Sequence, residues 1–150
     1  TNLLKPGGLM KIALYSELAR QHIVEVRKKI TLLRVGTSKS EIRKFRRSLV
    51  ESNEENHQRL TKSSDFFNLS TLRDLIFHVQ EHRFSLPKIK NCLDELGLKF
   101  CGFENKDTIS NFRGFHGKDA DIYDLTLWHQ YEESNPHAFA EMYQLWCQKL

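Results

Sequence analysis

The stretch His78-Val79-Gln80-Glu81-His82 sets two imidazoles four positions apart, with a carboxylate beside the second. On a helix, that spacing puts both rings on one face, where they would hold zinc while Glu81 serves as general base in metal-assisted hydrolysis. Other signals compete with this reading. Arg83 and the helix-start sequence Ser85–Pro87 follow at once and place a helix end close to His82, and no acidic helix offers a third ligand. The reading that needs no metal has His82 capping a helix C-terminus and Glu81 pairing with Arg83.

Two further groups of residues carry chemistry. Tyr15, Ser16 and Glu17 close an apolar run; at a strand end they face the crevice in which open α/β sheets bind ligands. Ser16 also reads as a helix N-cap. Trp128, His129 and Glu132 share an amphipathic helix, and the large indole of Trp128 is assigned to the core. Phe66, Phe67, Phe77, Phe84, Phe100 and Phe103 are read as core as well.

The elements that must position these residues belong to a chain of 150 residues, about one domain's worth. It is 39% hydrophobic and 28% charged, which excludes wholesale disorder, and no apolar run approaches the ~20 residues of a membrane span. The net charge of +4 comes largely from Arg43, Lys44, Arg46 and Arg47, with Glu51, Glu54 and Glu55 directly behind. So narrow a patch reads as a solvated helix face and argues against a nucleic-acid partner. Cys92, Cys101 and Cys147 are odd in number and set among apolar residues. They are expected to be reduced, buried thiols of a cytoplasmic protein.

Along the chain, Leu4–Gly8 (LKPGG) reads as a turn, with Pro6 fixing φ and Gly7 free to take a positive one. Leu9–Ser16 is predicted to be a strand buried on both faces, as in a parallel sheet. A helix capped by Ser16 is expected to run to Gly36, burying Leu18, His22, Val26, Ile30 and Leu33. A second is expected from Ser40 to Glu51 on Ile42, Phe45 and Leu49, followed by a mobile connection over 52–64. A third, capped by Ser70, buries Leu72, Leu75, Ile76 and Val79. The fourth, capped by Ser85 with Pro87 in its first turn, faces Ile89, Cys92, Leu93 and Leu96 inward and ends at Gly97. Leu98–Glu104 is expected to be a strand, Asp124 or Thr126 opens a helix, Asn135-Pro136 opens a short one through Phe139, and Met142–Lys149 is a closing strand. The order is β-α-α-α-α-β-α-α-β.

Three strands are few for a sheet, and an apolar Leu9–Ser16 would leave an unpaired edge. The chain also starts without Met, and Leu3 and Leu4 read as the tail of an element. A fragment describing the back half of a sheet is the expectation.

LLKPGGLMKIALYSE resembles the segment around the fifth strand of Rossmann-like class I S-adenosylmethionine-dependent methyltransferases, where L-x-P-G-G precedes a strand. FSLPKIKNCLDELGLKFCGFE is similar to the later helix and sixth strand of that fold, and WHQYEESNPHAFAEMYQLWCQK to its antiparallel seventh strand. RDLIFHVQEHRFSLP with WHxxE…NP…MYQ resembles a bacterial, tetratricopeptide-repeat-associated subset. The resemblance spans almost the whole chain but only the C-terminal half of the family's domain.

It implies an α/β fold: the C-terminal part of a Rossmann-like methyltransferase sheet of three strands, the last antiparallel, with a helical insertion. Residues 1–36 would supply strand plus helix, 37–84 the insertion or lid, and 85–150 the last two strands and helices. The intact enzyme would move a methyl group from S-adenosylmethionine to a nucleophile by in-line displacement. The family's glycine-rich loop follows its first strand, whereas Gly7 and Gly8 precede one. No cofactor-binding residue is therefore carried over, and the fragment alone is expected not to bind the cofactor. His78, His82 and Glu17 are the candidate proton acceptors; Tyr15, Glu81, Arg83 and His129 are the candidate acceptor contacts. The partners implied are the upstream half of the domain and an unknown methyl acceptor, with no membrane. Two other readings stand beside this one: a non-catalytic binding or regulatory module, and a zinc peptidase built on HVQEH.

Overall fold

The computed structural model describes residues 3–78 and 80–150 and divides into two compact units, Thr1–Ala19 with His82–Leu150, and Arg20–Glu81. Val79, expected in the burial stripe of the third helix and inside HVQEH, lies outside the described residues.

The first unit is α/β. Its strands are β1 (Leu9–Ser16), β2 (Arg83–Phe84), β3 (Leu98–Phe103) and β4 (Tyr143–Lys149), in the spatial order β2-β1-β4-β3. β4 is antiparallel to both β1 and β3, so those two run parallel to each other. The pairs Leu9↔Gln148 and Leu14↔Tyr143 bracket the β1–β4 register. β3 carries a bulge at Cys101, where Gly102 at φ 108° takes a conformation other residues resist. Gly7, at φ 76° in the turn before β1, does the same, and its N–H reaches the Lys149 carbonyl.

Two expectations about β1 change. It is not buried on both faces: Leu9, Lys11 and Ala13 are exposed, while Met10, Ile12 and Leu14 pack on the core. An antiparallel partner leaves one face to solvent, and the polar link from Lys11 and Trp146 to Glu104 (2.7 and 3.0 Å) occupies part of it. The short strand β2 was also not foreseen. It pairs in parallel with only Tyr15 and Ser16, so among the described residues no strand lies on that side of Leu9–Leu14.

Three helices complete this unit: α5 (Leu86–Glu95), α6 (Lys106–His116) and α7 (Leu125–Ser134), numbered after four helices of the second unit. α5 starts after Ser85 with Pro87 in its first turn and closes at Gly97 (φ 63°), although Ser85, at the N-cap position, makes no capping hydrogen bond through its side chain. Leu86, Ile89 and Leu93 face inward, whereas Leu96 is 52% exposed. α6 escaped the sequence reading, because only Thr108 and Phe112 of it are buried. Asn135–Phe139 forms turns rather than the expected helix. The core is aromatic: Phe112 stacks on Trp128 at 3.9 Å between centroids, and Phe103 lies edge-on to Trp128 at 4.8 Å.

The second unit consists of α1 (Gln21–Leu32), α2 (Lys39–Val50), α3 (Glu55–Thr61), a 3-10 turn (Ser64–Phe66) and α4 (Leu69–Phe77) around its own core. α1 starts later than expected. Ser16 is not its cap: the hydroxyl accepts the Ala19 N–H at 3.0 Å in a turn, and no side chain caps the helix. The helix ends at Leu32, before Gly36, and its inward residues are Ile23, Val26 and Ile30, with Leu33 58% exposed. α2 is capped by Ser38 in a capping box with Glu41, two residues ahead of the expected start. The supposed connection over 52–64 holds α3, whose buried His57 and Leu60 are too sparse a pattern to read as a helix. Asn68, not Ser70, caps α4, by accepting the Ser70 N–H at 2.8 Å. Phe67, assigned to the core, is 73% exposed.

All three cysteines are free; Cys147 is buried, and Cys92 and Cys101 are only half-buried. No helix is long and apolar enough to cross a membrane among the described residues.

Candidate functional site

Parallel pairing of β1 with β2 gathers the strand-end candidates. Tyr15 sits opposite Arg83 and Ser16 opposite Phe84, and the Glu17 N–H bonds the Phe84 carbonyl at 2.9 Å. Tyr15 and Glu17 thus lie at the carboxyl end of β1, beside Arg83, the first residue of β2, and His82 just before it. Glu17 and His82 are exposed, Tyr15 and Arg83 half-buried.

Ser16 and Glu132, both named from the sequence but in separate groups, meet in one cluster with Tyr143, which the sequence reading did not name. The Ser16 hydroxyl donates to Glu132 Oε1 at 2.6 Å, and the Tyr143 hydroxyl lies 2.7 Å from both Glu132 oxygens. All three residues are fully buried, at 0%, 1% and 0% exposure for Ser16, Glu132 and Tyr143. Burial pushes the Glu132 carboxyl above its ordinary range, against the pull of the Ser16 and Tyr143 hydrogen bonds and of nearby His129. Burial, reinforced by the Glu132 charge, drives the Tyr143 phenol far above its own. Buried at this depth, the three groups do not meet a substrate. The cluster instead ties α7 and the start of β4 to the last residue of β1, and so fixes the turn that presents Glu17.

One signal for it existed. Leu125, Trp128 and Glu132 fall on one helical stripe at i, i+3 and i+7, which puts a carboxylate in line with core residues. Its partners on β1 and β4 lie 116 and 11 positions away, and no local pattern announces them.

His129 precedes Glu132 by one turn of α7. Its Nε2 stands 3.7 Å from Glu133, and its buried Nδ1 has no hydrogen-bond partner among the described residues.

HVQEH takes a different form from the one its spelling suggests. α4 stops at Phe77, and His78 follows with extended backbone (φ −63°, ψ 126°), exposed, its Nδ1 accepting the Gln80 N–H at 3.2 Å. Without a helix through His82 the two imidazoles share no helix face, which removes the premise of the zinc reading. Among the described residues no three His, Cys, Asp or Glu gather as a metal site. Glu81 is committed elsewhere. Arg20 grips its carboxylate with two nitrogens, at 3.2 and 2.6 Å, and Arg27 adds a third contact at 2.9 Å while also bonding the Leu75 carbonyl. Burial raises the Glu81 pKa, but the two guanidiniums outweigh it and hold the carboxyl below its usual range. His78 and Glu81 belong to the helical unit; Tyr15, Glu17, His82, Arg83 and His129 belong to the α/β unit.

No protein-family model matches the chain, and no curated protein matches it.

Proposed function

We propose that the chain is the acceptor-side part of a Rossmann-like S-adenosylmethionine-dependent methyltransferase. The observation that carries the reading is the direction of its strands. β1 and β3 run parallel and the closing strand β4 runs antiparallel to both, which is the arrangement that the resemblance of LLKPGGLMKIALYSE and its two companion segments implies. The turn at Gly7 and the side of Leu9–Leu14 that carries no strand partner among the described residues agree with it.

The residues present do not fit the cofactor. β1 runs into Glu17–Arg20 and β3 into Glu104–Asn105, and neither junction holds a glycine-rich turn on which a nucleoside or sulfonium group would rest. Cofactor binding is therefore assigned to a segment beyond these residues, and only acceptor chemistry to these. Glu17, exposed just after β1, and His82, exposed just before β2, are the groups offered to take a proton from an acceptor, with Tyr15 and Arg83 between them to orient it. His129 stands on α7, and His78 and Glu81 on the helical unit. A positioned base contributes typically 10²–10⁴-fold to a proton-coupled step.

The test is equilibrium dialysis with labelled S-adenosylmethionine on this chain and on the chain extended by the residues encoded before it. Binding by the extended protein alone, with Glu17→Gln and His82→Ala lowering methyl transfer but not cofactor affinity, is the expected result. An extended protein that ignores S-adenosylmethionine overturns the proposal and favours a non-catalytic binding module, a reading that draws on the self-contained core of the helical unit.

A further inference from the structure

α6 presents one face to an open groove. Lys106, Ile109, Ser110, Arg113, Gly114 and Gly117 recur at i, i+3, i+4, i+7, i+8 and i+11, a single stripe along the helix and its cap. That stripe forms one wall of an open groove of about 890 Å³, and Lys118 and Ile122 line it as well. The volume lies within the span of ordinary binding clefts.

Three features give the groove a chemical preference. Lys106, Arg113 and Lys118 line it and make no ion pair among the described residues, and no carboxylate lines it. Ile109 and Ile122 supply half-buried apolar surface between the charges. Gly114 stands inside the helix although a Cβ built there meets nothing within 4 Å. A mid-helix glycine costs about 1 kcal/mol relative to alanine. No packing contact requires that cost here, and the glycine leaves the groove wall open at this point.

We propose that this groove is a docking site for an acidic amphipathic helix of a partner protein. Lys106 and Arg113 are seven residues apart, or ~10.5 Å along the axis at 1.5 Å per residue, the spacing of two carboxylates two turns apart on a facing helix. The small side chains at Ser110 and Gly114 let that helix approach closely, with its apolar residues against Ile109 and Ile122. A nucleic acid is a poorer fit, because none of the lining residues is aromatic and there is no platform for a base. A bilayer is poorer too, because the cations line a concavity that a flat surface does not enter. The site is independent of the methyltransferase reading.

The experiment is fluorescence anisotropy with the full 150-residue chain and a fluorescein-labelled helical peptide carrying glutamates seven residues apart, with leucine and alanine between them. Saturable binding is expected, at least tenfold weaker for Arg113→Glu and for Gly114→Leu, and lost when the glutamates become lysines. Gly114→Leu fills the groove at an exposed helical position where leucine is the better helix former, so its circular dichroism and thermal midpoint stay at or above those of the parent. Absence of saturable binding at millimolar peptide overturns the proposal, as does binding that Gly114→Leu leaves unchanged. A single-stranded RNA oligomer or phosphatidylglycerol vesicles binding in a Gly114-dependent way, where the peptide does not, likewise overturns it in favour of that ligand.

Discussion

Tyr143, the first residue of β4, holds its hydroxyl 2.7 Å from each carboxylate oxygen of Glu132 on α7, and neither residue is more than 1% exposed. A titratable pair locked in the interior makes folding depend on pH. In the folded state Glu132 keeps a proton that the unfolded chain gives up near 4.5, its ordinary value. Its contribution is therefore intact below that value and is lost as pH rises through the raised folded pKa. Glu132→Gln is expected to remove this component. In urea titrations at a series of pH values, the variant's stability relative to the parent should climb as pH rises above about 4.5; a constant difference would refute the assignment.

Removing either hydroxyl leaves the buried carboxyl short of a donor. Tyr143→Phe and Ser16→Ala are each expected to cost about 2 kcal/mol, the order of an unsatisfied buried polar group, with Ser16→Ala also freeing the Ala19 N–H. Because both donors serve Glu132, the double variant should cost less or more than the sum, and a double-mutant cycle reads that coupling. Strict additivity would show that the two bonds do not share one carboxyl.

In the helical unit, Glu81 is held by Arg20 and Arg27, with side-chain exposures of 6%, 9% and 17%. Glu81→Ala leaves two guanidiniums without their counter-charge and is expected to destabilise that unit by about 3 kcal/mol. Here the sign with pH is the reverse of that at Glu132. The lowered carboxyl stabilises above its ordinary 4.5 and stops doing so as pH falls through its folded value. Hydrogen exchange of α1 and α4 amides, compared between parent and variant, localises the loss; unchanged protection there would contradict it.

Trp128 carries the aromatic core. It stacks on Phe112 and donates its indole N–H to the Ile122 carbonyl at 2.9 Å. Trp128→Ala is expected to cost about 4 kcal/mol, within the range of large-to-small core substitutions. Thermal unfolding followed by far-ultraviolet circular dichroism measures it, and a cost below about 1 kcal/mol would mean the core collapses around the gap.

How much the sequence announced follows from the range over which each signal acts. The PGG turn, the strand Leu9–Ser16, the Pro87-to-Gly97 helix and the closing strand were legible, because φ restrictions, capping and hydrophobic period are local properties of a few neighbouring residues. The same locality explains the errors at helix starts. Ser16 and Ser38 are both serines with good capping chemistry, yet only Ser38 caps. The Ser16 hydroxyl is engaged with Glu132, a residue 116 positions away. α6 and α3 were missed because each buries only two residues, too few to set a period.

The sequence by itself determined the α/β character, the run of helices between the first strand and the third, and the residue types gathered at the strand ends. Tertiary structure alone decided that β4 pairs with both β1 and β3, that β1 keeps one face exposed, and that the helix α4 ends at Phe77, before HVQEH begins. It also decided that Glu81 serves two arginines and that Glu132 meets Ser16 and Tyr143. Strand pairing and buried polar contacts join positions far apart in the chain, and the free energy that selects them comes from desolvation, which no residue registers until its partner arrives.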